Sequence, residues 1–198
     1  MGQHSINLVD LLMILSAYML GGVSTGYLLV RSKCDIDIRT TGSGAFGARN
    51  VGRLLGQRGF YITFAGDMLK AAFIVWFALF LSIDPYIVCA VVIAVVCGHI
   101  WPIWLGFRGG KGIASSLGAF AALDLKVLVI GGSAFLISYF LCRNFLLGWI
   151  TALLATPVLA VFLDYPSYIV LALSGTALLV LFAHRKNIKD AIVVNGSG

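Results

Sequence analysis

The segment from Thr41 to Arg53, TGSGAFGARNVGR, combines Gly42, Gly44, Gly47 and Gly52 with Ser43, Arg49, Asn50 and Arg53. Closely spaced glycines let successive backbone N–H groups curl into a concavity that holds an anion, and arginine offers a planar fork to phosphate or carboxylate. On composition alone the alternative is a flexible, solvated loop. A second segment, GHIWPIWLGFRGGKGIAS from Gly98 to Ser115, has His99 and Pro102 closing one helix and Arg108, Gly109, Gly110, Lys111 and Gly112 opening the next. It does not meet the nucleotide P-loop pattern GxxxxGK followed by Ser or Thr, because Leu105 stands where the first glycine is needed and Gly112 follows Lys111. What remains is a glycine-rich turn feeding a helix N-terminus, whose N–H groups and dipole favour a phosphate, with Lys111 adding charge. The alternative is a basic loop at a membrane face.

A third polar segment, HRKNIKD, runs from His184 to Asp190. On a continuing helix His184 and Asn187 share a face, while Arg185, Lys186 and Lys189 reach lipid headgroups. Asp67 and Lys70 are also three apart, within an apolar run, where ionisable groups are functional suspects by default. They neutralise each other within one helix or, on the sharper reading, orient a loop residue such as Arg53. Trp101 and Trp104 suit an interfacial aromatic belt, and His4 is given no role.

The elements that must position these residues are set by lipid. The 198 residues are 60% hydrophobic and 11% charged, with a mean hydropathy of +1.00, whereas a water-soluble fold keeps about a quarter of its residues charged. Disordered and nucleic-acid-binding classes are excluded: the net charge of +6 sits in short stretches between apolar runs, as topology and anionic headgroups demand. Spans are expected at 8–30, 60–82, 85–105, 126–142, 145–163 and 166–183. Residues 113–123 are apolar but too short to cross roughly 30 Å of hydrocarbon at about 1.5 Å per residue, hence half a crossing or re-entrant.

Counting that segment gives an all-α polytopic membrane protein of about seven helices, N-terminus outside and C-terminus cytoplasmic. All Lys and Arg except Lys70 and Lys126 then fall inside, and Asp84, Asp124 and Asp164 fall outside. Six crossings would split the basic residues between the two faces. No positive region precedes the first span, so it is expected to persist rather than be cleaved. Cys34, Cys89, Cys97 and Cys142 lack CxxC spacing or His-rich company, so neither a metal site nor a disulfide framework is expected. Residues 1–194 are expected to form a single membrane domain, with 195–198 an appended tail.

Taken together, the three segments resemble those of the bacterial membrane acylphosphate:glycerol-3-phosphate acyltransferase family. The pattern GSGNxGATNxxR is met by Gly42, Ser43, Gly44, Gly47, Ala48, Asn50 and Arg53. The pattern GHxxPxxxxFKGGKGxA is met by Gly98, His99, Pro102, Phe107, Gly109, Gly110, Lys111, Gly112 and Ala114. HxxNI is met by His184, Asn187 and Ile188. The second pattern is long and specific, and the third informs in its company.

The resemblance implies an inner-membrane enzyme, its site facing the cytoplasm, that transfers an acyl group from acyl phosphate to sn-glycerol 3-phosphate. The products would be lysophosphatidic acid and phosphate. It implies Ser43, Arg53, Lys111, His184 and Asn187 as the catalytic set. Gly42, Gly44, Gly47, Arg49, Asn50, His99, Gly109, Gly110 and Gly112 are expected around the substrates. No cofactor, metal or nucleic-acid partner is implied.

Ala45 stands where the pattern has Asn, and Arg49 where it has Thr. Arg49 adds a permanent cation that would strengthen anion binding, fill the acceptor pocket or alter the substrate. Arg108 replaces the pattern's Lys, and Ala183 a basic residue that often precedes the His. Two other readings are a transporter of a phosphorylated metabolite, with the cations and the Asp67–Lys70 pair lining a pathway, and an acyltransferase paralogue repurposed or without activity.

Overall fold

The computed structural model describes residues 6–195. His4 and the 196–198 part of the expected tail lie outside the described residues, while Asn195 ends a helix. The elements are α1 (Leu8–Gly22), α2 (Thr25–Cys34), α3 (Ala48–Phe80), α4 (Pro85–Ile100), α5 (Ile113–Leu123), α6 (Leu125–Cys142), α7 (Phe145–Phe162) and α8 (Ser167–Asn195). Short 3-10 turns lie at Ile38–Thr40 and Ile103–Leu105. Among the described residues five stretches are long and apolar enough to cross a bilayer: Leu8–Cys34, Ala48–Phe80, Pro85–Leu105, Leu125–Cys142 and Ser167–Asp190. A shorter apolar helix lies at Ile113–Leu123. Residues 113–123 thus form a short helix, as expected, and the run expected at 145–163 forms the 18-residue helix α7.

The chain divides into two compact units, one ending at Leu123 and the other beginning at Asp124. In the first, the run expected as one span from 8 to 30 is broken. Gly21 and Gly22 weaken the helix, and the Ser24 hydroxyl accepts the Tyr27 N–H at 3.2 Å to start α2 afresh. Away from water, the carbonyls freed by such a break need donors. Trp104 Nε1 donates to the Gly22 carbonyl at 2.9 Å and Lys70 Nζ to the Val23 carbonyl at 2.5 Å. Hydropathy does not register the break because both halves are apolar.

The expected loop before residue 60 is corrected as well. Helix α3 begins at Ala48 and carries a kink at Gly56, whose φ of 70° and ψ of −167° lie outside helical values. Arg49, Asn50 and Arg53 therefore sit on a helical turn rather than in an irregular loop. Val30, Ile38, Phe46 and Val51 bury a cluster under this turn, with Tyr27, Leu29, Ile36, Leu55 and Leu105 against it. Close backbone approach holds the longer helices: any side chain at Gly98 would meet the Tyr18 backbone of α1, and one at Gly118 would meet Met68 of α3.

In the second unit, α6 and α7 pair through Ser138 Oγ and Thr151 Oγ1, 3.1 Å apart. Phe135 packs on Tyr139, Phe145 and Trp149. Helix α8 continues unbroken past the apolar run to Asn195.

Trp104→Phe keeps an aromatic ring and removes the indole donor. It is expected to destabilise the protein by about 0.5–1.5 kcal/mol, the range for one lost hydrogen bond. Thermal unfolding in detergent, with amide exchange at residues 22–25, checks this.

Candidate active site

The first glycine-rich segment is organised by Asn50, which is only 5% exposed. Its Oδ1 accepts the Ser43 N–H at 3.1 Å, and its Nδ2 donates to the carbonyls of Thr41 at 3.1 Å and Ala45 at 3.0 Å. The chain can fold around this amide because Gly42 has φ +56°, and a Cβ there would collide with Asn50 Oδ1. Ser43 is left exposed at the crest of the turn. Asn50, expected among the substrate-binding residues, thus spends its amide on shaping the turn. Ala45 enters this network through its backbone carbonyl, so the departure from Asn leaves the turn's hydrogen bonding intact. Gly44 also has a positive φ, and Gly47 caps α3 without a side-chain hydrogen bond.

The second glycine-rich segment lies directly against the first. Phe46 N–H donates to the Gly109 carbonyl at 3.4 Å, and Phe46 itself is fully buried. Gly110 N–H returns to the His99 carbonyl at 3.0 Å, which folds the turn back on the end of α4. Gly112 then presents its carbonyl to Ser116 N–H and Oγ, both at 2.8 Å, as α5 begins. Lys111 is half-buried at this junction. Burial, and then repulsion from Arg49 and Arg53, hold its ammonium below the usual lysine pKa. Arg49 and Arg53, one turn apart on α3, thus act with Lys111 as one cationic patch.

Behind that patch Asp67, Lys70 and His99 meet. Lys70 Nζ lies 2.9 Å from Asp67 Oδ1 and 3.2 Å from His99 Nδ1, and Asp67 Oδ1 is 3.7 Å from the same ring nitrogen. The expected Asp67–Lys70 pair exists, but its third partner is His99 rather than Arg53. His99, expected at the substrates, is 4% exposed and packs under Gly110, where any Cβ would strike the ring edge bearing Nε2. This link joins α3 to the end of α4. Its sequence signal was an ionisable pair at depth with a histidine at the end of the next span.

The third motif belongs to the second unit. His184 Nδ1 lies 2.8 Å from the Val180 carbonyl one turn earlier. Facing a carbonyl, Nδ1 carries the hydrogen, which leaves the lone pair of the neutral ring on Nε2. Asn187 follows on the same continuous helix, as expected. Arg185 turns back over the Phe182 ring at 4.1 Å.

Asn50→Ala removes all three side-chain hydrogen bonds of the first turn and is expected to cost about 2–3 kcal/mol, since buried partners are left unmade. Amide exchange at Ser43 should accelerate well before global unfolding. Unchanged exchange there would contradict the organising role.

The glycerol-3-phosphate acyltransferase family model matches residues 11–193. Glycerol-3-phosphate acyltransferase 1 of Desulfitobacterium hafniense (strain Y51) is 43% identical over 194 residues, covering 97% of this chain and 95% of that protein. The glycerol-3-phosphate acyltransferase of Endomicrobium trichonymphae is 38% identical over 93% of each. A crystal structure of PlsY (YgiH), an integral membrane glycerol 3-phosphate acyltransferase in its glycerol 3-phosphate form, superposes with a TM-score of 0.85 at 29% identity. The match covers 93% of this chain and 92% of that one. Its lysophosphatidic acid form gives 0.84 at 28%, with the same coverage. Fold, motif order and relatives together make this chain a member of the glycerol-3-phosphate acyltransferase family.

Proposed function

We propose that this acyltransferase takes its acyl group from an acyl phosphate and passes it to sn-glycerol 3-phosphate, supplying lysophosphatidic acid for phospholipid synthesis. The observation that carries this reading is the joining of the two glycine-rich segments by the Phe46–Gly109 backbone contact, with Arg49 and Arg53 close enough to Lys111 to repel its charge. The acceptor hydroxyl attacks the acyl carbonyl, the carbon–oxygen bond to phosphate breaks, and inorganic phosphate leaves with the bond's electron pair. A mixed anhydride is already activated, so positioning and charge stabilisation suffice without an acyl-enzyme intermediate.

The motif pattern assigns Ser43 and Asn187 to orienting the phosphates and Arg53 and Lys111 to neutralising them. The hydroxyl proton passes to His184, whose Nε2 carries the lone pair, or to a substrate phosphate, whose second pKa is about 6. The distribution of basic residues supports seven crossings with the N-terminus outside and the site on the cytoplasmic face of a bacterial inner membrane.

Purified protein given acyl phosphate and glycerol 3-phosphate is expected to release phosphate and lysophosphatidic acid in equal amounts. Exchange of labelled glycerol 3-phosphate across proteoliposomes without phosphate release would favour a transporter instead. Lys111→Ala and His184→Ala are each expected to lower kcat/KM by about a hundredfold or more. Retention within about threefold would remove the residue from the proposed machinery.

Arg49 gives a pH-dependent prediction. The lowered pKa means that Lys111 discharges at lower pH than an ordinary lysine, weakening the hold on phosphate. Arg49→Thr removes one repulsive charge and raises that pKa, so the alkaline rise in KM for glycerol 3-phosphate is expected to move to higher pH. KM measured between about pH 7 and 10 tests the sign.

A further inference from the structure

Lys70 sits where an ammonium is costly: its side chain is 8% exposed and that of Asp67 1%. Asp67 satisfies one of the three ammonium donors, and Lys70 Nζ also meets the Val23 carbonyl and His99 Nδ1. An ammonium has donors only, so Nδ1 of the ring must accept, which leaves the hydrogen on Nε2. That edge of the ring lies against Gly110. The His99 backbone meanwhile takes the Gly110 N–H, so one residue grips the turn through both ring and carbonyl. Asp67 is held from a second side, its backbone carbonyl accepting from Ser115 Oγ of α5 at 3.3 Å. Its Oδ2 and Thr63 Oγ1, one turn before it on α3, have no hydrogen-bond partner among the described residues.

We infer that Asp67, Lys70 and His99 form a buried positioning relay that sets the tautomer of His99 and, through the ring, the placement of the Gly109–Gly110–Lys111 turn against the substrate phosphate. The relay's catalytic consequence rests on the acyltransferase reading; its tautomer does not. Asp67 charges and aims Lys70, Lys70 fixes the ring, and the ring supports Gly110 one residue before Lys111. Lys70 also ties the α1–α2 break to the same point through Val23, so the turn's support draws on α1, α3 and α4. These are positioning residues, acting through the turn rather than on the reacting atoms.

Two measurements test the relay. In ¹⁵N-histidine-labelled protein, His99, assigned by comparison with His99→Asn, is expected to show a hydrogen on Nε2 and an accepting Nδ1, lost in Lys70→Met. In kinetics, Lys70→Met is expected to raise KM for glycerol 3-phosphate at least about tenfold with kcat reduced less than about threefold. Lys70→Arg, which keeps a charged donor, should bring KM back to within about threefold of the unmodified protein.

His99→Asn retains an acceptor near the Nδ1 position but loses the ring edge, so its KM should rise similarly, and Lys70→Met combined with it should add little. If Lys70→Met does not fold, His99→Asn carries the kinetic test. A hydrogen on Nδ1 of His99, or KM within about threefold in the folded variants, overturns the relay. Failure of the unmodified protein to turn over refutes the acyltransferase reading instead and leaves the ¹⁵N measurement to decide the relay.

Discussion

A buried ammonium must be matched by acceptors, and the first unit is organised around how Lys70 meets that demand. Its partners come from three places in the fold: the Asp67 carboxylate on α3, the Val23 carbonyl at the α1–α2 break, and His99 at the end of α4. In a medium of low dielectric each contact is worth more than in water, and each is correspondingly costly to lose. A broken transmembrane helix, which would otherwise strand a carbonyl, is thereby stabilised by the group that braces the second glycine turn.

In front of this brace the balance is reversed. Arg49, Arg53 and Lys111 face one another's repulsion, and the lysine's lowered pKa records it together with burial. The patch is held by its scaffold: Asn50 ties the first turn together, Phe46 joins it to the second, and a fully buried cluster lies beneath. Such preorganised positive charge favours an anion because the cost of assembling it was met during folding. Arg49 intensifies that field relative to the family pattern, while Ala45 leaves the turn's own bonds unchanged.

Chemistry on a mixed anhydride asks little of a protein beyond this. The proposed acyl phosphate donor would itself supply an activated carbonyl and a phosphate leaving group, so that rate would come from holding anions in register rather than from an enzyme nucleophile. A short helix such as α5, entered through Gly112, suits such a site, because it delivers a turn and a helix start where no full crossing is required.

The membrane class, the helical composition, the short Ile113–Leu123 segment and the three polar motifs were legible from residue order alone. Hydropathy and local spacing report on neighbours along the chain. Asp67 with Lys70 was visible for the same reason, being one turn apart. Tertiary structure decided which distant groups satisfy one another: His99 as the pair's third partner, Trp104 and Lys70 as donors to the α1–α2 break, and Asn50 as organiser rather than open ligand. It also converted an expected loop into the first turns of α3, placing Arg49 one turn before Arg53. A buried donor or acceptor specifies only that some partner must exist, and its identity is settled by the packing of helices that sequence order does not encode locally.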